Sequence, residues 1–346
     1  MLSKGFKVVS PRTFELDIEN VDLSGKDVLV RIDYGAICKA DIRYYLGERN
    51  EKILGLKYPM RLIHEAVGTV LKDKSGKYLA GQSVVLVPNI CMCEKCNFEK
   101  VKEIGENYCP KAKFASSNID GFSSEIISYQ SKNLVEFNED LIDKKTAVFS
   151  ELISVAIAAT RRLESLDNKN IAIWGDGILG YILCSVIRFL SSNSNITIVG
   201  KNKVKIDKFE FADNKYLLND SNLNNKKFDI LFECVGGNAA EYAINEMLNY
   251  ANYNSNIVLT GVSENGSKVD TRKILEKGLV LTGSTRSNIE DFIKAIKLLE
   301  KEEFRCYIEK LIISENEVSS IVDYYKIFDI ESKNKELGKN LIRFKL

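Results

Sequence analysis

The chain has 346 residues, which is long for one compact core at the usual ~100–200 residues per domain and predicts two domains. Its 49 Lys and Arg against 48 Asp and Glu leave a net charge of +1, which argues against a nucleic-acid-binding protein and a membrane-surface protein. No apolar stretch of signal-peptide length opens the chain, and its most apolar segment, 177–190, is shorter than a membrane span and contains Arg188, so we expect a cytoplasmic protein.

The pattern of apolar residues changes between about Asn138 and Thr146. From Lys7 to about Asn138, short apolar runs are broken by Gly, Asn and Asp, and this predicts an irregular, mostly antiparallel β region. From about Thr146, apolar strands alternate with amphipathic helices, which predicts a doubly wound parallel sheet of the α/β class, covered on both faces. The predicted strands are NIAIWG (170–175), ITIVG (196–200), FDILFECVG (228–236), NIVLTGV (256–262) and LVLTGST (279–285). Helical segments and a closing strand, LIRFKL, follow Asn288.

The cysteine and histidine counts restrict the chemistry. Four of the eight Cys lie between positions 91 and 109, and in a reducing cytosol such a cluster indicates metal binding sooner than disulfides. His64 is the only His, so a mechanism that needs two imidazoles is excluded. Thiolate, imidazole and carboxylate suit zinc, and Cys38, His64, Glu65 and Glu151 supply them. Their spacing alone leaves open the alternative that these four residues only pack in the protein core and bind no metal.

The segment WGDGILGY carries Gly175, Gly177 and Gly180 in the pattern GxGxxG. It leaves an apolar strand and opens a helix, which is the context of a turn that binds the pyrophosphate of a dinucleotide. The first Gly permits the tight turn, the second lets backbone approach the pyrophosphate, and the third lets helix and strand pack closely. The helix N-terminus adds N–H donors for the phosphates. A tight turn without a ligand is the alternative.

The end of the second strand indicates which dinucleotide is bound. NAD sites usually place an Asp or Glu there, about twenty residues after the turn, to bind the ribose hydroxyls. This chain has Lys201, Asn202 and Lys203 instead, so no carboxylate at this position repels a 2′-phosphate and two ammonium groups can neutralise it. We therefore predict NADP(H), with Lys201 as the main contact. A solvated loop is the alternative for these lysines.

Taken in order, GAICKAD, IHEAVG, the four-Cys segment, WGDGILG and FDILFECVG resemble the zinc-dependent medium-chain dehydrogenase/reductase family. ICKADIRYYLGERNE, YPMRLIHEAVG, TRKILEKGL and GSTRS are similar to one branch of it, the ribulose-5-phosphate reductases (ribitol-5-phosphate dehydrogenases) of CDP-ribitol synthesis. The resemblance runs from about Val9 to the C-terminus. Each single motif occurs across the superfamily, whereas the combination of all of them is specific to the ribulose-5-phosphate reductases.

The resemblance implies a catalytic zinc of the polyol-dehydrogenase type. Cys38 and His64 match the family's zinc ligands, and Glu65 and Glu151 match the two carboxylates of that coordination sphere. Exchanging a thiolate for a carboxylate makes the zinc harder and suits hydroxyl-bearing substrates. Asp41 matches the carboxylate that orients the ligand His; on the sequence alone, a helix cap is an equal alternative.

Two positions depart from the family pattern. The residue before the His–Glu pair is Ile63, where the family usually has Gly. Ala40 lies two residues after the ligand Cys, where a hydroxyl often begins the proton relay. A zinc-bound water or Glu65 is therefore expected to carry the proton.

The Cys cluster resembles the structural-zinc lobe of the family. Cys91, Cys93, Cys96 and Cys109 would supply four thiolates for a closed tetrahedral site. Compared with the family, the spacing is one residue shorter at its start and five residues longer before Cys109. We expect a second, structural zinc here; a loop with reduced thiols and no metal is the alternative.

The resemblance implies NADPH-dependent, zinc-assisted reduction of D-ribulose 5-phosphate to D-ribitol 5-phosphate, for CDP-ribitol in teichoic acid or capsule synthesis. A zinc polyol or alcohol dehydrogenase acting on an unphosphorylated sugar alcohol is the alternative. A non-catalytic dinucleotide-binding protein is disfavoured by the retained ligand set. Guanidinium groups suit phosphate, so Arg43, Arg49 and Arg286 are candidates for the substrate phosphate, and each of them is as readily a surface Arg.

The resemblance also implies the domain organisation and the partners. A GroES-like catalytic domain with the structural-zinc lobe is expected over 1–147, a Rossmann dinucleotide-binding domain over 148–287, and a return to the catalytic domain over 288–346. Family members commonly form homodimers through the dinucleotide-domain sheet, and 256–262 with 279–285 offer an apolar edge. The pathway implies a ribitol-phosphate cytidylyltransferase that consumes the product, as a candidate partner.

Overall fold

The computed structural model describes residues 1–24, 26–91, 93 and 104–346. It divides into two compact units, and the first of them, Met1–Ser154 with Ser287–Leu346, is built from two separate segments of the chain. The second unit is Val155–Arg286. Within the described ranges, no helix is both long enough and apolar enough to cross a membrane.

Strands and helices are numbered here in chain order. The strands are β1 (Leu2–Ser10), β2 (Thr13–Asn20), β3 (Val28–Ala36), β4 (Met60–Arg61), β5 (Glu65–Asp73), β6 (Ser83–Leu86), β7 (Asn89–Ile90), β8 (Lys113–Phe114), β9 (Ile126–Tyr129), β10 (Leu134–Glu136), β11 (Asn170–Trp174), β12 (Asn195–Gly200), β13 (Asn214–Leu217), β14 (Phe228–Glu233), β15 (Ala251–Leu259), β16 (Val280–Gly283), β17 (Ile312–Val318) and β18 (Lys339–Phe344). The helices are α1 (Lys39–Leu46), α2 (Glu51–Lys57), α3 (Lys144–Ala147), α4 (Ser150–Thr160), α5 (Ile178–Leu190), α6 (Lys203–Asp207), α7 (Ala240–Tyr250), α8 (Thr271–Lys277), α9 (Ile289–Leu299), α10 (Glu302–Glu309) and α11 (Ile321–Lys333).

The first unit is the irregular β region that the sequence predicts. Its main sheet has the order β10-β6-β5-β3-β18-β17, with β9 also paired to β3. The pairs of this sheet are antiparallel except β17 with β18. A smaller sheet has the order β2-β1-β4. Because β18 pairs with β3, the C-terminal segment joins the sheet that also contains β5, β6, β9 and β10.

One register in this sheet positions the candidate site. β3 and β5 run antiparallel with Ala36 opposite Glu65. The two residues that follow Ala36 therefore lie beside the residues that immediately precede β5. Cys38 lies well before the consecutive residues His64 and Glu65 in the chain, and this strand pairing brings it next to them.

The second unit is a six-stranded sheet of the doubly wound type. Its order is β13-β12-β11-β14-β15-β16, and every pair is parallel. Numbered from the first strand of this unit, the order is 3-2-1-4-5-6, that of a dinucleotide-binding sheet. Its core includes Trp174, Leu231 and Met247, all at most 1% exposed. The predicted fold class, a Rossmann sheet with a mostly β domain, is confirmed.

Several strand boundaries differ from the predicted ones, and one strand was not predicted. β14 ends at Glu233, earlier than predicted, because Gly236 and Gly237 that follow have positive φ. β13 is a strand that the apolar pattern did not indicate, since NKYL is only partly buried at the sheet edge and has no apolar alternation.

Candidate functional site

A thiol, an imidazole and a carboxylate converge in the first unit. Ligand atoms of Cys38, His64 and Glu65 all lie within 4.8 Å of one another. His64 is 6% exposed and Glu65 is fully buried. Cys38 is the N-cap of α1, so the helix start fixes its position directly after β3. Three ligands of these types match the protein part of a catalytic zinc site, which keeps a fourth position open.

The Asp41 carboxylate contacts the segments that carry Cys38 and His64. Its Oδ2 accepts the backbone N–H of Cys38 at 2.9 Å, and its Oδ1 accepts the backbone N–H of Ile63 at 3.2 Å. The same Oδ1 accepts the Ser116 hydroxyl and lies 3.5 Å from His64 Nδ1. Asp41 therefore caps α1 and also faces the imidazole, which leaves Nε2 of His64 as the ligand atom.

The charges of His64 and Asp41 shift each other's pKa. Burial acts to lower the pKa of His64, but the Asp41 carboxylate raises it well above its ordinary value. Burial likewise acts to raise the pKa of Asp41, and the neighbouring His64 lowers it. Asp41 is thus the ionised partner, and its charge favours an imidazole that donates from Nδ1.

The backbone before His64 is strained. Ile63 has φ 71°, a left-handed conformation that is an outlier for a β-branched residue. It occupies the position where the family usually has Gly, and it is fully buried. The loop is held by the Asp41 carboxylate and by the N–H of Phe122, which donates to the Ile63 carbonyl at 2.8 Å. Such strain persists where surrounding contacts over-determine the backbone.

A buried lysine that the sequence did not point to contacts Glu65. Lys339 begins β18 and is 4% exposed, and its Nζ lies 2.5 Å from Oε1 and 2.6 Å from Oε2 of Glu65. Burial acts to lower the pKa of Lys339, but the Glu65 charge raises it, so the ammonium stays protonated. Each carboxylate oxygen has a second lone pair, so Glu65 can accept from Lys339 and still offer a ligand atom.

Glu151 lies in α4 of the same unit and is 6% exposed. Burial raises its pKa to about 7, and the charges of His64 and Glu65 act on it, the first lowering and the second raising that pKa. Its carboxyl oxygens are not within the 4.8 Å set of described residues formed by Cys38, His64 and Glu65. Glu151 is therefore near the cluster but outside its innermost group.

A second cluster joins three of the four cysteines between 91 and 109. The sulfur atoms of Cys91, Cys93 and Cys109 lie within 4.8 Å of one another, and Cys96 is outside the described residues. Cys93 Sγ and Cys109 Sγ are 3.7 Å apart. Two sulfurs of a tetrahedral zinc with Zn–S bonds of about 2.3 Å are about 3.8 Å apart, whereas a disulfide needs about 2.05 Å. The spacing fits a zinc-thiolate site.

The glycine turn links β11 to α5 in the second unit. Gly175 has φ +127°, and a Cβ on Gly180 would lie 2.2 Å from the Gly175 carbonyl oxygen, so both positions require Gly for the chain's own packing. A Cβ on Gly177, the N-cap of α5, would meet no protein atom within 4 Å. The missing side chain at Gly177 therefore opens space outside the protein, as close approach of a pyrophosphate requires.

The segment after β12, where the sequence predicts the contact with the 2′-phosphate, lies next to a carboxylate from another part of the chain. Lys201 is exposed, as a phosphate contact would be, but its backbone N–H donates to the Asp176 carboxylate at 2.8 Å. Positions 201–203 carry no carboxylate, as the sequence states, but the Asp176 carboxylate reaches this strand end from the glycine turn. Asp176 lies inside the glycine motif, whereas the acidic residue of NAD sites is expected about twenty residues after that motif.

The three candidate phosphate-binding arginines lie in different surroundings. Arg43 is in the last turn of α1 and is half-buried. Arg49 follows that helix, with its Cζ 4.4 Å from the centre of the Tyr44 ring. Arg286 has φ 58° and ends the second unit. Arg43 thus lies within the helix that Cys38 caps, and Arg49 lies just after it, against Tyr44 of the same helix.

Comparison with known proteins gives consistent matches. Residues 24–139 match the alcohol dehydrogenase GroES-like domain, and residues 195–301 match the zinc-binding dehydrogenase family. The chain is 38% identical to ribulose-5-phosphate reductase 1 of Staphylococcus aureus (strain NCTC 8325 / PS 47), with 99% of each chain covered. It is 35% identical to ribulose-5-phosphate reductase of Bacillus spizizenii (strain ATCC 23059 / NRRL B-14472 / W23), with 100% of each covered. The crystal structure of S. aureus TarJ in complex with NADPH is similar over 100% of both chains, with 35% identity and a TM-score of 0.86.

Proposed function

Because this chain belongs to the zinc-binding dehydrogenase family, we propose that it reduces D-ribulose 5-phosphate to D-ribitol 5-phosphate with NADPH. The observation that carries the reaction type is the convergence of Cys38, His64 and Glu65. The full-length similarity to two ribulose-5-phosphate reductases supports the substrate, and that to the TarJ–NADPH complex supports the cofactor. The product would serve CDP-ribitol synthesis for teichoic acid or capsule.

The proposed metal ligands are Cys38, His64 and Glu65, with Glu151 at the edge of the sphere. Zinc held there supplies a Lewis acid for the ketose carbonyl, and the nicotinamide supplies the hydride. Asp41 fixes the imidazole ring through its contact with Nδ1. With Ala40 in place of a hydroxyl, the proton for the new alcohol is proposed to come from water by way of the Glu65 carboxylate, while Lys339 stays protonated and hydrogen-bonded to that carboxylate.

The decisive assay follows NADPH oxidation with ribulose 5-phosphate in the presence and absence of a zinc chelator. We expect turnover that the chelator abolishes and added zinc restores. Free ribulose and xylulose are the comparison substrates, and ribulose 5-phosphate should be preferred. Faster turnover of the free sugars would contradict the phosphosugar assignment and favour an unphosphorylated polyol substrate.

For the phosphate, the proposed contacts are Arg43 and Arg49, with Arg286 as a third candidate. A guanidinium binds phosphate through paired N–H donors, so removing one weakens substrate binding more than it slows the chemistry. Arg43→Ala and Arg49→Ala should raise KM for ribulose 5-phosphate with a smaller change in kcat. Arg272→Ala, at an exposed pair with Glu276, is the control. An unchanged KM in both variants would refute this placement.

The remaining assignments concern organisation and surroundings. The catalytic role is proposed for 1–147 with 288–346, and the dinucleotide-binding role for 148–287. A homodimer is proposed through β16, which pairs only with β15 in the described part of the sheet and whose Val280 is 47% exposed. Val280→Lys should then give monomers in analytical ultracentrifugation.

The proposed location is the cytoplasm, where cysteines remain reduced and can bind zinc. A cytidylyltransferase is proposed as the enzyme that consumes the product.

The Cys cluster is proposed to bind a structural zinc. Cys91, Cys93 and Cys109 are close enough for shared ligation, and Cys96 is the proposed fourth ligand. Metal analysis of the purified chain should return two zinc ions, one for each cluster. One zinc per chain would leave only the site at Cys38.

A further inference from the structure

Asp176 lies between two glycines of the phosphate-binding turn, yet its side chain reaches the neighbouring strand. It is 9% exposed, and its Oδ2 accepts the backbone N–H groups of Lys201 at 2.8 Å and Asn202 at 2.7 Å. These are the first two residues after β12. A Cβ on Gly200 would lie 2.7 Å from the Asp176 Cβ and 2.9 Å from its Oδ2. Asp176 therefore packs directly against the end of the second strand of this sheet.

The end of the second strand is the point at which dinucleotide-binding sheets present a carboxylate to the adenosine ribose. Lys201 occupies the corresponding place in the sequence, but Asp176 brings a carboxylate to the same place in space. Only Oδ2 of Asp176 is engaged by backbone donors, and within the described part of the chain its Oδ1 accepts no hydrogen bond. The lone pairs of Oδ1 are thus available to a hydroxyl group.

Starting from the proposed function, we infer that Asp176 determines how the enzyme discriminates between NADPH and NADH, and that it keeps NADH as an accepted cofactor. The carboxylate accepts hydrogen bonds from the ribose hydroxyls of NADH. In NADPH the 2′-hydroxyl carries a phosphate, and the like charge of Asp176 opposes it.

The nearby lysines counter this repulsion only in part. Lys203 Nζ lies 2.5 Å from Asp207 Oδ1, so much of its charge is already balanced within α6. Lys201 is exposed, and its charge is screened by solvent. One solvent-screened ammonium, opposed by one fixed carboxylate charge, gives a modest preference for the phosphorylated cofactor. The lysines alone would give a strong one.

The test is Asp176→Asn in the full-length chain, with Kd for NADPH and for NADH measured by fluorescence titration. Asn has a carbonyl oxygen that can still accept the backbone N–H groups after β12, but it has no charge. We expect NADPH to bind more tightly and NADH more weakly, so that the ratio of the two Kd values moves about tenfold towards NADPH, equivalent to about 1.4 kcal/mol.

Asp213→Asn is the matched control. Asp213 Oδ2 accepts the backbone N–H of Ile196 at 2.6 Å and contacts Arg188 at 2.6 Å, so it supports the opposite end of the same strand. Its substitution should lower stability without changing the ratio of Kd values. A purely structural role for Asp176 would make Asp176→Asn behave in the same way, with both cofactors weakened equally, and that result would overturn the inference.

A measurement on the unaltered chain covers the case in which Asp176→Asn does not fold. ADP-ribose and its 2′-phosphorylated form should bind within about tenfold of each other, since Asp176 favours the first and Lys201 the second. A preference above about a hundredfold for the phosphorylated fragment would overturn the inference and leave the proposed function intact. Binding of neither NADPH nor NADH would overturn both.

Discussion

Lys339→Met tests whether the buried cation beside Glu65 holds the site together. Met retains much of the aliphatic length and removes the ammonium, so the fully buried Glu65 carboxylate loses the partner that lies 2.5 and 2.6 Å from its oxygens. Removing one partner of a buried pair costs about 3–5 kcal/mol, because the other charge is left uncompensated. We expect the free energy of unfolding of the metal-free protein to fall by that amount.

The double variant separates charge from packing. Replacing both partners of a buried ion pair by neutral groups is often close to neutral. Lys339→Met with Glu65→Gln should therefore recover most of the stability that Lys339→Met loses. The cycle that includes Glu65→Gln alone gives the coupling energy of the pair. Urea unfolding followed by circular dichroism, with a chelator present throughout, is the assay.

The same experiment includes a measurement with added zinc and a control variant. Adding zinc should reduce the loss in Lys339→Met, because a dication held by Cys38 and His64 also compensates the Glu65 charge. Lys326→Met is the control, since its pair with Asp323 is exposed and should contribute less than about 1 kcal/mol. If Lys339→Met cost no more than this control, Glu65 would not be an ionised partner of Lys339 and the reasoning would fail.

Three more predictions concern other features of the first unit. Ile63→Gly relieves left-handed strain of about 1–3 kcal/mol but loses a buried side chain whose truncation to Ala alone costs about 2–5 kcal/mol, so urea unfolding should show net destabilisation. A stabilised variant would mean that strain outweighs packing. Cys109→Ser should lower the zinc content from two to one per chain by elemental analysis, with reductase activity retained; loss of both ions would link the two clusters. Burial acts to raise the pKa of Asp17, but hydrogen bonds from Arg61 and Lys7 lower it below 3.8. The stability from this group is therefore present above that value and lost as pH falls through the lower folded pKa, and Asp17→Asn should reduce the loss in acid unfolding curves.

Local patterns in the sequence were sufficient for the fold class. The alternation of apolar strands and amphipathic helices after Thr146 depends on side-chain period, which each segment carries by itself. The turn at Gly175, Gly177 and Gly180 was likewise readable, because its chemistry is confined to a few consecutive residues. The grouping of Cys38 with His64 and Glu65 came from resemblance, and the register of β3 with β5 is the physical reason they meet.

The tertiary structure decided the partners of the buried charges. Lys339 and Glu65 are separated by 274 positions, and only the pairing of β18 with β3 puts the ammonium beside the carboxylate. Asp176 was visible in the sequence, but its carboxylate belongs to the end of β12 because β11 and β12 are neighbours in the sheet. The period of apolar residues and the secondary-structure propensities are properties of neighbouring residues in the chain. The surroundings of a charged side chain depend instead on which distant segments pack against it. The sequence by itself therefore determined the kind of sheet and the glycine turn between β11 and α5, and the packing of strands determined which charges lie beside the candidate metal ligands and at the end of β12.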